Sequence, residues 1–567
     1  MIKKHAMFKF GLTLFIVAFV SNLNAQKSVL VNEETIYDGI EFSMPKVKTT
    51  SFPNYEVTIT NFGAIGNGLI KNTDAFAKAI DDVSSKNGGK VIVPRGIWLT
   101  GPITLKSNVN LHLEAGSLIV FSSDFNDYPL VNTSFEGLNT KRSMSPINAN
   151  NVENIAITGT GIIDGSGDAW RPVKIEKMTN KQWKTLVRSG GVLSKDGKIW
   201  FPTEGSKKGH ESSTDFNVPD LIGDDELASV KDFLRPVMVS IVNSKRVLLD
   251  GPTFQNSPAW NIHPLMCEDI IIRNINVRNP WYSQNGDGLD LESCKNALVY
   301  NNTFDVGDDA ICFKSGKDKD GRDRGIPTEN VIVKNNVVYH AHGGFVIGSE
   351  MSSGVKNVHI SNCTFIGTDI GLRFKSTRGR GGIVEDIYIS NINMIHIPTD
   401  AIQFNLYYSG KAPILVDNDE ASDTQIQEEK LVEVTEETPS FRNIFMKNIN
   451  VVDSETAMFI MGLPEMNVKN VIIEDSVFET KKGITAIDAD GITLKNVTVK
   501  ASNDYALTIY NSKNIKTSNF SFGESKSAIK VLGSKSKNIQ FEKKDVSNEK
   551  MQIELGKGAT KKAIIIK

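Results

Sequence analysis

From Val247 to Ile539 the chain repeats a short pattern: an Asn or Asp, an aliphatic run, then a polar residue. Examples are Asp269-Ile270-Ile271-Ile272, Asn330-Val331-Ile332-Val333, Asn357-Val358-His359-Ile360, Asp386-Ile387-Tyr388-Ile389 and Asn470-Val471-Ile472-Ile473. The first aliphatic residues are Val247, Ile270, Ala297, Val331, Val358, Ile387, Ile444, Val471, Ile492, Ile515 and Ile539, spaced by 21 to 34 residues apart from a single gap of 57. That gap equals two coils, or one coil carrying an insertion. Short strands at such a period, with no helical 3.6-residue pattern between them, specify a solenoid. Strands stacked one per coil, about 4.8 Å apart, give an all-β right-handed parallel β-helix. A β-sandwich offers no reason for the recurring Asn. A β-helix does, because an Asn at each bend can hydrogen-bond its equivalent in the next coil.

A solenoid needs its open end covered. Asn72-Thr73-Asp74 predicts a helix start, and Phe76, Ala79, Ile80 and Val83 give it one apolar face, ending at Asn87-Gly88-Gly89. The expected organisation is a signal peptide over 1–25, a lead-in over 26–60 and a single β-helix domain over 61–567. Two insertions interrupt the winding, about 168–235 and 409–440. The first carries Trp170, Trp183 and Trp200, which favours an ordered loop over a groove; the second is acidic and reads equally well as solvated.

The signal peptide rests on Lys3, Lys4 and Lys9 before the apolar run Phe10 to Val20, with Ala25 closing a cleavage-like segment. The run is shorter than the ~20 residues a bilayer span requires. Export to the periplasm or medium is the expectation. Lys plus Arg number 64 against 66 Asp plus Glu, so no global charge favours nucleic acid or a membrane surface, and anion recognition must be local. Cys267, Cys294, Cys312 and Cys363 match no zinc or redox spacing and read as scattered half-buried thiols.

Residues two apart on a strand share a face. Leu289, Leu291, Ile311, Phe313, Phe345, Ile347, Leu372, Phe374, Ile402 and Phe404 should therefore point inward. Asp290, Glu292, Cys312, Lys314, Arg373, Lys375, Gln403 and Asn405 should point outward. In the same register, one outer face collects Asp287, Asp308, Asp309, His342, Arg373 and Lys375. Taken singly, each has a plain structural explanation: Asp and Gly form turns, a histidine can be satisfied in a bend, and cations protect strand edges. Together they point to chemistry. Like charges at one site push carboxyl pKa values apart, so one acid stays protonated while another stays ionised, and cations nearby suit an anionic substrate.

The segments Asn285-Gly286-Asp287, Gly307-Asp308-Asp309, Ala341-His342-Gly343 and Arg373-Phe374-Lys375 resemble, in order, the four fingerprints of glycoside hydrolase family 28, the polygalacturonase family, and of its bacterial exo-acting members in particular. Gly286, Ala341 and Phe374 depart from the family pattern without removing a reacting group. Phe62-Gly63-Ala64-Ile65-Gly66-Asn67-Gly68 also resembles this superfamily. The resemblance implies inverting hydrolysis of α-1,4-galacturonosidic bonds. Asp308 would be the general acid, Asp287 and Asp309 would hold and deprotonate the water, and His342 would tune the acid. Arg373 and Lys375 would grip a substrate carboxylate. Tyr408, with Tyr407 as the alternative, would contact substrate, and Asn285, Gln403 and Asn405 complete the expected binding set. No metal or other cofactor is expected. The expected partner is an acidic plant-type or algal polysaccharide, with the chain acting as a monomer.

Three competitors differ in testable ways. Rhamnogalacturonan or xylogalacturonan hydrolases share the family, and those acting on rhamnogalacturonan typically lack the His and the cationic pair. A β-elimination lyase would use Ca²⁺ with a Lys or Arg base and release an ultraviolet-absorbing product. A non-catalytic sugar-binding solenoid would have no use for three clustered acids. The insertion over 168–235 is expected to wall off one groove end and make the enzyme exo-acting.

Overall fold

A computed structural model describes residues 35–214, 217–221, 223–408, 431–522, 527–546 and 553–567. The expected signal peptide and most of the second insertion (409–430) lie outside the described residues. The chain divides into Met1–Asp38, where the 3-10 turn Thr35–Tyr37 is described, and Gly39–Lys567.

Gly39–Lys567 is a right-handed parallel β-helix. Aliphatic positions of the repeat pair with the next: Val247 with Ile270, Ile270 with Ala297, Ala297 with Val331, Val331 with Val358 and Val358 with Ile387. Ile387 pairs directly with Ile444, so the long gap is one coil with an insertion. Winding starts at Glu56–Thr58, which pairs with Gly89–Val93, a few residues earlier than the expected 61. The preceding residues are strapped along the coils: the Lys48 N–H donates to Asp269 (3.3 Å), the Ser51 N–H to Asn154 (3.0 Å), and Glu41 meets His359 at 2.6 Å.

The recurring Asn has two jobs. At Asn296, Asn330, Asn357, Asp386, Asn443 and Asn470 the backbone φ is 51 to 58°, the left-handed region that Asn and Asp tolerate better than other non-glycine residues. The side chains then form a ladder: Asn330 donates to Asn296 (3.3 Å), Asn357 to Asn330 (3.1 Å) and Asn470 to Asn443 (2.9 Å). One residue type sets the bend and satisfies its neighbour's amide.

Inside, Leu289, Ile311, Phe345, Leu372 and Ile402 stack in register and are wholly buried. Phe313 packs edge-on against Phe345 (5.0 Å between centroids) and Phe374 stacks on Phe404 (4.5 Å). Helix α1, Thr73–Ser85, covers the N-terminal end with Phe76, Ala79, Ile80 and Val83 buried. The Asn72 side chain does not cap this helix; it accepts from the Ile65 N–H (2.7 Å) and ties the preceding glycine-rich loop in place.

The first insertion is ordered. It contains helices α2 (Asn180–Arg188), α3 (Glu204–Glu211) and α4 (Asp224–Ala228), and an antiparallel sheet of Val173–Lys174, Ile199–Phe201 and Val192–Leu193. Leu227, Val230, Phe233 and Leu234 give it an apolar centre, and buried Trp170 packs edge-on against Phe125 and Tyr128.

Two expectations need correction. The outward side chains are not open to solvent: Asp290, Glu292 and Cys312 are 0 % exposed, Lys314 3 %, and Arg373 and Lys375 6 %. Segments outside the repeat fold back over them. The hairpin Leu130–Phe135/Leu138–Ser143 and helix α5, Asp318–Arg324, meet where the Lys317 N–H donates to the Gly137 carbonyl (3.1 Å). Arg324 then reaches Glu292 (2.5 Å) and Ser134 (3.3 Å). The cysteines are likewise buried throughout rather than half-buried. Cys267 and Cys294 lie 27 residues apart because that is one coil, and the Cys267 N–H donates to the Cys294 sulfur.

Candidate active site

Parallel pairing aligns the motifs. Leu289 faces Ile311 and Ile311 faces Phe345, which places Asp287 beside Asp309 and Asp308 beside His342. The backbone confirms it: the Gly288 N–H donates to the Asp309 carbonyl and the His342 N–H to the Asp308 carbonyl, both at 2.9 Å. Asp287, Asp308, Asp309, His342, Lys375, Tyr408 and Asn285 line one cleft of about 480 Å³. Gly286 and Gly343 permit this crowding. A Cβ at Gly286 would collide with the Ser283 hydroxyl, and one at Gly343 with Val346.

The three acids have distinct surroundings. Asp309 is 1 % exposed and takes a 2.7 Å hydrogen bond from Lys375 Nζ, with Arg373 at 3.6 Å. Burial opposes its charge, but Lys375, Arg373, His342 and Lys314 together hold its carboxyl well below the usual range. Asp287 is 3 % exposed, and its Oδ1 has no hydrogen-bond partner. Burial first, then the charges of Asp290 and Asp308, push its carboxyl well above the usual range. Asp308 is the accessible member, with a side chain 25 % exposed and Oδ1 3.6 Å from His342 Nδ1.

Beneath them lies a second layer that sequence reasoning placed outside but gave no role. Asp290 is buried with both carboxyl oxygens lacking hydrogen bonds, and burial pushes its carboxyl up. Lys314 Nζ sits 3.5 Å from Asp290 and 3.0 Å from Glu350, over the Trp260 ring (4.8 Å). Glu350 follows the strand Gly343–Ile347, and no pattern in the sequence marks it.

Arg373 and Lys375 flank the Tyr408 ring at 5.5 and 5.0 Å, whereas Tyr407 packs against Arg378. Tyr408 is thus the tyrosine that faces the cleft. Lys375 is committed to Asp309, while Arg373 keeps Nε and Nη1 without hydrogen bonds. Gln403 and Asn405 pair with Arg373 and Lys375 in the next strand but lie outside the cleft lining, Gln403 donating to Asp400 and Asn405 accepting from the Tyr407 N–H. Asn285 accepts from Arg235 (2.8 Å). Arg235 comes from the end of the insertion and Glu136 from the hairpin tip, and both are buried. Burial raises the Glu136 carboxyl and lowers Arg235 to about 10. Neither has a signal in the sequence that ties it to the site. Asp308, Asp309 and His342 offer ligand atoms within 4.8 Å of one another, and Lys375 already occupies an Asp309 oxygen.

The family model for glycosyl hydrolases family 28 matches residues 225–445. The crystal structure of an exopolygalacturonase from Thermotoga maritima is 33 % identical with a TM-score of 0.62, covering 80 % of this chain and 94 % of that one. The chain belongs to glycoside hydrolase family 28. Among curated relatives of this family 28 chain, an exo-poly-alpha-D-galacturonosidase of Dickeya chrysanthemi is 28 % identical over 404 residues, 69 % of this chain and 64 % of the relative. A "Probable polygalacturonase" of Vitis vinifera is 27 % identical over 369 residues, 63 % and 64 %. The match to these two spans somewhat under two thirds of their length.

Proposed function

We propose that this family 28 chain hydrolyses α-1,4-galacturonosidic bonds of polygalacturonate or pectin, acting from a chain end. The observation that carries the reading is the cleft itself: three carboxyls from neighbouring coils, one held below the usual carboxyl range and one pushed above it by their surroundings, with a guanidinium beside them. The names of the Thermotoga and Dickeya relatives support both the substrate and the exo mode.

In the proposed reaction Asp308, the exposed acid, gives its proton to the glycosidic oxygen as the C1–O bond breaks. A water oxygen bonds to C1 and its proton passes to Asp309, the carboxylate that Lys375 and Arg373 hold ionised. Asp287, with Oδ1 free of hydrogen bonds, orients that water. His342, 3.6 Å from Asp308, tunes the acid. Arg373, beside the Tyr408 ring, grips a substrate carboxylate. Inversion is what the family resemblance implies. No metal takes part in this scheme. The domain plan is a single catalytic β-helix, exported and acting as a monomer. No helix among the described residues is long and apolar enough to cross a membrane.

The test is a time course on polygalacturonate, with early products separated by size and their fresh anomer read by proton NMR. Monomer or dimer of inverted configuration is expected. A broad early ladder of oligomers would overturn the exo assignment, and a retained anomer the mechanism.

A further inference from the structure

The cleft presents a charge problem for a polyanion. Its lining contains the carboxyls of Glu136, Glu176, Asp287, Asp308, Asp309 and Glu350. Of its cations, Lys375 is bound to Asp309 and Lys314 to Glu350, both buried. Those two hold the catalytic layer together and have little charge to offer a ligand. Arg373 stands with Lys375, on the coil beyond the acids. The first insertion, which leaves the winding before the acid-bearing coils, brings two more cations to the lining, Lys174 and Lys177.

These two lysines sit on a fixed support. Lys174 pairs with Ile199 in the small antiparallel sheet, and the Ile175 N–H donates to the Lys198 carbonyl (2.9 Å). Ile175–Lys177 is a single 3-10 turn closed by the Met178 N–H on the Ile175 carbonyl (3.0 Å). Helix α2 follows at once, capped by Thr179, whose hydroxyl accepts from the Gln182 N–H. The only ion pair of Lys174 among the described residues is with Glu176 at 4.0 Å, and Glu176 is 70 % exposed. Lys177 is half-buried and has no ion pair among them. A half-buried ammonium without an anion, at the rim of a cleft, is poised for an anionic ligand.

We propose that Lys174 and Lys177 form a second carboxylate grip, binding the uronate on the far side of the scissile bond from Arg373. The site would then demand a negative charge on both sugars that flank the bond. The insertion would serve as a charge-reading wall as well as a steric one. This rests on the galacturonan reading above and deepens it.

The test compares trigalacturonate with its methyl ester in the full chain, wild type against K174A/K177A. Wild type should favour the acid by KM. The double variant should raise KM for the acid about tenfold, with kcat within about threefold, and should lose most of the acid-over-ester preference. K174R/K177R should retain the preference. Because the preference is a ratio within one protein, a poorly folded fraction cannot mimic its loss. An unchanged acid-over-ester ratio in K174A/K177A would overturn the second grip while leaving the hydrolase reading intact. A wild type that cleaves no galacturonide would overturn both.

Discussion

Replacing Glu292 by Gln should cost about 3 kcal/mol of stability at neutral pH and nearly nothing in strong acid. Glu292 is completely buried, 2.8 Å from His263 Nε2 and 2.5 Å from Arg324 Nη1. Burial alone would raise its carboxyl, but His263 and Arg324 outweigh that and hold it at about 2, against an ordinary 4.5. The folded state therefore binds the ionised form more tightly than the unfolded chain does. This contribution is complete above pH 4.5 and is lost as pH falls towards 2. A depression of about 2.5 units at ~1.4 kcal/mol per unit gives about 3 kcal/mol. Gln keeps the shape but leaves the Arg324 charge without its carboxylate partner, which adds to the loss. Equilibrium urea unfolding of wild type and variant, followed by far-ultraviolet circular dichroism at pH 7, 4 and 2.5, reads the gap directly. It should shrink steadily with acid. A gap that stays constant across the three pH values, or is already below about 1 kcal/mol at pH 7, would refute the reasoning.

Asn357→Ala should destabilise the coil stack by about 1–2 kcal/mol, from the left-handed backbone and the lost amide ladder. Asn357→Gly should recover the backbone part, so the two variants should differ in urea midpoint. Equal midpoints would show that φ is not the constraint. Arg373→Met should raise KM for trigalacturonate by roughly 30-fold, about 2 kcal/mol, with Arg373→Lys intermediate. Steady-state kinetics checks it, and an unchanged KM for the Met variant would remove Arg373 from the substrate grip.

Much of the fold was legible because a solenoid writes its register into the chain. From Val247 to Ile492, each aliphatic position that the spacing aligned is a pairing partner of the next in the structure. The inward residues follow from strict alternation, as Leu289 and Ile311 illustrate. The site's acids were legible because they sit at the same point of adjacent coils. What alternation cannot reveal is what covers the outer face. Asp290, Glu292 and Lys314 point outward as expected yet are buried by the hairpin tip, helix α5 and the strand-end Glu350. Those contacts link residues tens to hundreds of positions apart with no repeat to betray them. Arg235 and Glu136 escaped notice for the same reason. Tyr407 and Tyr408 could not be separated, because strand alternation ends at Asn405 and the turn beyond it sets which ring faces Arg373.

Kinetics and binding of Asp308→Asn on trigalacturonate test the central claim most directly. Asn preserves the size of the accessible side chain and removes its proton. Hydrolysis should fall by about 10²–10⁴-fold while affinity for the trimer stays within a few-fold of wild type. Hydrolysis within tenfold of wild type would contradict the account, because no acid on a stacked coil would then be donating the proton that breaks the bond.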